Sequence, residues 1–155
     1  MADFTLRAEH DGDRDFLRAL FAAVRSSELG LGGWDGATAQ ALLNMQFEGQ
    51  RRYYQQAYPG ARYQVVEVQG QAVGRIVVAR DAQCLLLVDI ALMPSSSGRG
   101  IGSALVRALQ EEAARAGLAL RLHVALENPA EALYRRLGFK ETGLSGMHRE
   151  MEWGE

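Results

Sequence analysis

The segment Leu86–Leu109 constrains the fold of this chain most, because it changes from an apolar run to a glycine-rich turn and then to a patterned helix. It reads LLVDIALMPSSSGRGIGSALVRAL. The apolar run breaks at Pro94, and Gly98, Gly100 and Gly102 follow where the predicted helix begins. The first N–H groups of a helix have no helical partner and carry the positive end of its dipole, and glycine lets an anion approach the backbone. The segment therefore predicts a strand, a turn and a helix that hold a phosphorylated ligand.

Length and charge narrow the class of protein. A chain of 155 residues, 48% hydrophobic, can bury a core without disulfides or metals. We therefore expect one domain spanning residues 1–155. The formal net charge is -2, and acidic and basic residues are interspersed. This pattern lacks the basic footprint of a nucleic-acid binder, so we expect no nucleic-acid partner.

Cysteine usage and hydropathy indicate the compartment. Cys84 is alone, which excludes an internal disulfide and fits a reducing environment, although an intermolecular bridge stays open. No stretch approaches the roughly 20 apolar residues of a membrane span. Charged Asp3, Arg7 and Glu9 occupy the N-terminus, where a signal peptide needs an apolar core. We expect a cytoplasmic protein without a membrane partner.

Hydrophobic periodicity and turn residues predict alternating strands and helices along the chain. The predicted strands are Phe4–Ala8, Arg62–Gln69, Gln71–Arg80, Cys84–Met93, Leu118–Leu126 and a final hairpin within Phe139–Trp153. The predicted helices carry apolar stripes at Phe16–Val24, at Leu43–Tyr58, from Gly102 to Gly117, and at Leu133–Leu137. Because a helix connects Cys84–Met93 to Leu118–Leu126, these two strands are expected to be parallel.

The boundaries of the last helix carry the clearest local signals. Asn128 is a suitable N-cap, Pro129 suits the first helical position, and Glu131 completes a capping-box pattern. Gly138 is expected to end the helix.

The order of these elements, together with two motifs, resembles the GCN5-related N-acetyltransferase (GNAT) family over nearly the whole chain. The motifs are the turn Ser97–Gly102 before a helix, and Asn128-Pro129-Ala130 followed by Leu133-Tyr134 and Gly138-Phe139. The resemblance implies a single-domain α/β (α+β) fold whose central sheet is mixed, mostly antiparallel and twisted. Six to seven strands would splay between the fourth and fifth, with about four helices covering both faces. It also implies acetyl-CoA as cosubstrate, held in that opening, and no metal.

The resemblance places the cofactor's pyrophosphate on the glycine turn. The implied cofactor-binding residues are Ile90, Ala91, Leu92, Ser97, Gly98, Arg99, Gly100, Ile101, Gly102, Ser103, Asn128, Ala130 and Tyr134. Ser97 stands where the family has Gln or Arg, so we expect a modestly weaker site, with Arg99 able to supply charge nearby. Asn128 has a second interpretation as a helix cap.

The implied chemistry is direct attack of an amine on the thioester. The resemblance puts the oxyanion donor on the main chain near Ala91 and Leu92, and Tyr134 at the position of the general acid. A phenol with an ordinary pKa of about 10 is protonated at neutral pH. The alternative is that Tyr134 packs its ring against cofactor or core and its hydroxyl only binds the sulfur.

The general base has two candidates. Asp89 interrupts an apolar strand, so it either accepts a proton, directly or through water, or forms an ion pair with Arg75, Arg121 or His123. Glu127 ends the next predicted strand and is the second candidate. The sequence leaves the choice open.

Acceptor recognition is expected from the first two helices and their loop. The candidate lining residues are Trp34, Gln50 and Tyr54, with Gln46 and Tyr53 beside them, and Arg25 or Arg51 could meet an acidic group. The expected partner is a small amine or a peptide. Trp153 on the terminal strand could contribute to a homodimer. The alternative function on the same fold is a CoA-binding sensor or scaffold without catalysis.

Overall fold

The computed structural model describes residues 3–29, 36–126 and 128–154. The strands are β1 (Thr5–Ala8), β2 (Arg62–Val68), β3 (Gln71–Arg80), β4 (Cys84–Leu92), β5 (Ala119–Ala125), β6 (Lys140–Ser145) and β7 (His148–Trp153). The helices are α1 (Arg14–Leu29), α2 (Gly36–Ala57), α3 (Ile101–Ala116) and α4 (Ala130–Arg136), with short 3-10 turns at Asp11–Asp13 and Pro94–Ser96. Each predicted element is confirmed, with ends that differ by a few residues.

The seven strands form one sheet in the order β1-β2-β3-β4-β5-β7-β6. The antiparallel pairs are β1–β2, β2–β3, β3–β4, β5–β7 and the final β6–β7 hairpin. The pair β4–β5 is parallel, as expected for strands joined by α3. The predicted mixed, mostly antiparallel sheet is confirmed.

Helices cover both faces of the sheet because each presents one apolar stripe to it. On one face α3 and α4 bury Leu105, Leu109 and Tyr134 against strand residues such as Leu87 and Leu122. On the other face α1 and α2 bury a second apolar group, which comprises Leu17, Leu20, Leu43 and Phe47. Strand alternation supplies both faces from the same strands, since successive side chains point to opposite sides.

The sheet opens between β4 and β5. Their paired residues run only from Cys84 with Ala119 to Leu87 with Leu122, although β4 continues to Leu92 and β5 to Ala125. On the other side of β4, Val77 of β3 pairs with Asp89 while Val78 pairs with Leu87, so Val88 is an extra, bulged residue. A bulge bends its strand and increases the local twist. The bend coincides with the point where β4 leaves β5.

Two local details differ from the sequence prediction. Helix α3 begins at Ile101, one residue earlier than Gly102, because Gly100 takes the N-cap position. Asn128 lies just before α4, where its Oδ1 accepts from the Ala130 N–H at 2.9 Å, while Pro129 takes the N-cap position. The predicted capping box is wrong, because the Glu131 carboxylate does not bind the backbone N–H of Asn128. It binds Arg135 and Arg149 instead, at 3.0 and 2.8 Å. Two guanidinium groups offer that carboxylate stronger, charge-assisted hydrogen bonds than one backbone N–H.

Within the described ranges, no helix combines the length and the apolar character that crossing a membrane requires.

Candidate active site

The glycine turn between β4 and α3 presents backbone donors to the opening of the sheet. Gly98 and Gly100 have φ angles of 75° and 81°, a left-handed conformation that glycine adopts without strain. The carbonyl of Gly100 accepts from the N–H of Ala104 at 3.0 Å, so the N–H groups of residues 101–103 have no carbonyl partner in the helix. These donors and the helix dipole form a site for a phosphate group.

A groove of about 670 Å³ runs from this turn into the opening. Its floor is the unpaired side of β4 at Ile90, Ala91 and Leu92. Its walls come from the glycine turn and from α4. The predicted cofactor residues that line this groove are Ile90, Ala91, Leu92, Ser97, Gly98, Gly100, Gly102, Ser103, Asn128, Ala130 and Tyr134.

Tyr134 projects from α4 to the inner end of the groove. Its side chain is 6% exposed, and its ring packs against Phe139 with centroids 5.7 Å apart. Burial, together with the negative charge of Asp89, raises the pKa of the phenol to about 12. The hydroxyl therefore stays protonated and acts as a hydrogen-bond donor throughout the pH range of ordinary assays. Tyr134 therefore packs its ring against the core, as the alternative interpretation expected, and it also lines the groove.

Asp89 lies on β4 directly after the bulge, with its side chain 25% exposed. The Nε atom of Arg75 on β3 lies 3.6 Å from its Oδ2 atom, so these two residues form the ion pair that the sequence analysis considered. Arg121, a second predicted partner, instead binds Glu152 at 2.7 Å. His123 is exposed on the opposite face from the buried β5 residues Leu122 and Val124, and it lines a cavity together with Asp89.

Two smaller cavities meet the groove from the α1–α2 side. One, of about 160 Å³, is lined by Asp89, Arg75, Gln50 and one side of α1, which is apolar except for Arg25. The other, of about 270 Å³, passes between β4 and β5 and is lined by Asp89, Tyr54 and Tyr134. Both cavities share Ile90 and Asn128 with the cofactor groove. A molecule bound on this side can thus reach a thioester bound on the other.

The structure separates some predicted residues from this site. Arg99 is exposed and Ile101 packs into the core, so neither side chain lines the groove. Tyr53 is 59% exposed on α2. Arg51 lies 3.6 Å from Glu9 and lines a neighbouring cavity. Trp34 and Glu127 lie outside the described residues.

The sequence placed the first helix beside the acceptor, but it gave no such role to the apolar wall that α1 contributes, and it understated Arg75. The wall comprises Leu17, Leu20, Phe21 and Val24. Their helical spacing indicated core positions, and nothing in that pattern tells a core from a cavity wall. Arg75 is 5% exposed. It is a single charge in the apolar strand AVGRIVVA, the same signal that identified Asp89.

A sheet that opens beside a glycine turn at a helix N-terminus, with a groove and smaller cavities meeting at the gap, defines the class of acyl-CoA-dependent transferases. The sequence matches the family model of the acetyltransferase (GNAT) domain over residues 59–141, more than half of the chain. The chain belongs to the GNAT family and is an N-acetyltransferase by class. Among curated proteins, none matches the sequence.

Solved structures share the fold over nearly the full length. A PaiA N-acetyltransferase from Thermoplasma acidophilum in complex with coenzyme A has a TM-score of 0.74 and 17% identity, covering 99% of this chain and 100% of that one. Spermidine N-acetyltransferase from Vibrio cholerae, in complex with CoA and spermine, has a TM-score of 0.65 and 25% identity, covering 97% and 94%. Ard1 from Thermoplasma volcanium has a TM-score of 0.63 and 20% identity, covering 98% and 97%.

Proposed function

We propose that residues 1–155 work as a single domain that transfers an acetyl group from acetyl-CoA to a primary amine. The observation that carries this proposal is the early end of β4–β5 pairing, which opens the sheet at a groove leading from the glycine turn to Tyr134. The pyrophosphate would bind the donors at residues 101–103, and the pantetheine would lie along the unpaired side of β4. CoA complexes of two relatives with this fold support the choice of cofactor.

The reaction forms a C–N bond and breaks the C–S bond of the thioester. The acceptor enters as an ammonium ion and gives up two protons overall. Asp89, directly or through one water, takes the first proton to solvent, which leaves a neutral amine to attack the carbonyl. The second proton ends on the CoA sulfur. Both substrates would occupy the site together, because the groove and the 160 Å³ cavity share Ile90, Ala91 and Asn128.

Backbone groups of β4 would stabilise the oxyanion. At Ala91 and Leu92, β4 pairs with Arg75 and Gly74 of β3 on one side and has no β5 partner on the other. Donors fixed in a strand cost little reorganisation when charge develops on the carbonyl oxygen. This role depends on the main chain, so the side chains at these positions do not determine it.

Tyr134 would serve the departing sulfur. Because its pKa is raised to about 12, its hydroxyl holds its proton more tightly than a free thiol with a pKa of about 8.5. The hydroxyl therefore first stabilises the departing thiolate by a hydrogen bond. Proton delivery to sulfur then proceeds as Tyr134 is resupplied from the second amine proton.

Release of free thiol from acetyl-CoA across a panel of amines tests this function. Turnover with at least one amine, and an acetylated product seen by mass spectrometry, is the expected result. Calorimetry with CoA should show binding in the same preparation. CoA binding without thiol release for any amine would favour the sensor interpretation, and no CoA binding would remove the proposal altogether.

A further inference from the structure

Arg75 is a buried cation whose charge the protein satisfies only in part. It is 5% exposed, and its Nε atom forms no hydrogen bond with any described residue. Its 3.6 Å approach to Asp89 is an ion-pair distance, too long for a hydrogen bond. Buried donors are nearly always hydrogen-bonded, and a guanidinium carries five of them. The Nε donor of Arg75 therefore calls for a further acceptor, and the cavity that Arg75 lines together with Asp89 can admit one.

The surroundings of Arg75 restrict that acceptor. The ring of Tyr54 lies over the guanidinium, 5.5 Å from its carbon to the ring centroid. Because this ring covers a face of the guanidinium, an oxygen ligand meets its edge, where the N–H groups point. A carboxylate has the planar pair of oxygens that matches this edge.

Three surfaces of different chemistry meet in the 160 Å³ cavity. Arg75 supplies a cation and Asp89 an anion, only 3.6 Å apart. The facing wall, from α1, is apolar at Leu17, Leu20 and Phe21 and carries a second cation, Arg25. The volume lies below the roughly 300–1,000 Å³ of sites for drug-sized ligands, so a small molecule fits it best.

We propose that the acceptor is an amino acid, or another small amine that carries a carboxylate next to its amine. Its carboxylate binds Arg75, its ammonium group faces Asp89 and its side group packs on the α1 wall. This inference rests on the acetyl transfer proposed above. A polyamine such as the spermine bound to the Vibrio cholerae enzyme brings no anion for Arg75 and places positive charge beside it.

Matched pairs of amines test the proposal. Leucine is compared with isopentylamine and valine with isobutylamine, each pair differing only in the carboxylate, and spermidine is included as a polycation. We expect kcat/KM with acetyl-CoA to be about 10- to 100-fold higher for the amino acid of each pair, the range for a hydrogen bond between charged groups. The difference should appear mainly in KM, since Arg75 binds the acceptor and does not touch the reacting atoms.

The substitution Arg75→Gln should abolish this preference, and Arg75→Lys should retain part of it. For each pair, kcat/KM of the amino acid is divided by kcat/KM of its matched amine. Comparing this ratio between wild type and variant cancels the different intrinsic reactivities of the two amines. Arg121→Gln is the matched control, because Arg121 pairs with Glu152 on the exposed face, away from the cavity. Thermal unfolding of each variant shows whether it folds. If a variant does not fold, the comparison of matched amines with the wild type still tests the proposal.

The outcomes separate this inference from the function on which it rests. Equal or better turnover of isopentylamine, isobutylamine or spermidine would overturn the amino-acid assignment and leave acetyl transfer standing. A second outcome is that no amine releases thiol, while calorimetry shows leucine binding to the CoA complex of the wild type and not to that of Arg75→Gln. This outcome would support the carboxylate site and overturn the catalytic function. Neither turnover nor binding of an amino acid would overturn both.

Discussion

Leu87 of β4 and Leu122 of β5 are the last residues that these parallel strands pair, and beyond them the sheet opens. Both side chains are buried in the core under α3, so the strands are held together up to this pair. The extra residue Val88 then bends β4 away. The opening is thus a fixed feature of the packed sheet, and the catalytic groups proposed above are arranged around it.

Replacement of Tyr134 by Phe should lower kcat by about 10- to 100-fold, because the departing sulfur loses its hydrogen-bond donor. The KM for acetyl-CoA should change little, since the ring that packs against Phe139 is retained. Steady-state kinetics with a saturating amine measures both values. Tyr53→Phe, at an exposed position of α2, is the control and should behave as the wild type. An unchanged kcat in Tyr134→Phe would remove Tyr134 from the chemistry.

Ionisation of Tyr134 should not lower kcat near pH 10. Burial raises the pKa of this phenol from 10 to about 12, so its protonated form persists through that range. The pH profile of kcat is measured with wild type and Tyr134→Phe up to the pH at which the protein unfolds. A basic limb near pH 10 in the wild type that disappears in the variant would contradict the raised pKa.

Replacement of Gly74 by Ala should damage both stability and catalysis. A Cβ at this position would lie 2.5 Å from the carbonyl oxygen of Ala91 and 2.6 Å from Leu92 Cδ2, so the proposed oxyanion segment must shift. We expect a loss of roughly 1 to 3 kcal/mol in unfolding free energy, the usual cost of overpacking, together with a lower kcat. Gly143→Ala is the control, because its nearest contact, Glu150 Oε1 at 3.5 Å, is ordinary. Wild-type kcat in Gly74→Ala would argue against a fixed β4 donor.

Replacement of Gly100 by Ala should weaken CoA binding. The residue has a φ of +81° at the N-cap of α3, where a Cβ adds strain and lies beside the expected phosphates. A left-handed conformation costs roughly 1 to 2 kcal/mol for a residue with a side chain, so the turn shifts to relieve it or the Cβ crowds the phosphate. We therefore expect the Kd for CoA to rise about 10-fold by calorimetry. Gly70→Ala has nearly the same φ, +79°, in the β2–β3 turn and should leave the Kd unchanged. Equal effects of both substitutions would mean that general strain, and not the phosphate site, is responsible.

The pair Arg7–Asp13 should make stability fall in acid. Arg7 donates to both oxygens of Asp13, at 2.9 and 2.7 Å, and these bonds lower the pKa of the buried carboxyl from 3.8 to about 2. Because the folded pKa lies below the unfolded one, the stabilisation is fully present above about pH 4 and is lost as pH falls toward 2.

Chemical denaturation of Asp13→Asn over this pH range measures the effect. At neutral pH the variant should lose roughly 1 to 3 kcal/mol, the range for hydrogen bonds to charged groups, and its stability should vary less in acid. Glu112→Gln breaks a similar but exposed pair with Arg62 and should cost less than about 1 kcal/mol. An acid dependence in Asp13→Asn as steep as that of the wild type would contradict the assignment.

Local sequence signals were sufficient for the elements and for the conformation of the glycine turn. The strand ends, the parallel β4–β5 pair and the turn at Gly98 and Gly100 follow from glycine conformation, periodicity and short connections, which act between residues near in the chain. The predicted capping box at Glu131 was wrong because a residue distant in the chain competes for its carboxylate. Arg149, on a strand 18 residues away, takes that carboxylate, and no local pattern contains this contact.

The amino-acid sequence by itself determined the order of elements, the glycine turn before α3 and the position of Tyr134 on its helix, because each depends on short-range backbone geometry. The tertiary structure alone decided that Arg75 meets Asp89 across two strands, and that α1 turns Leu17 and Leu20 toward the same cavity. Such contacts depend on strand register, bulge position and helix docking. These are fixed only when the whole core packs, since burial of apolar surface is collective and does not depend on neighbours in the chain.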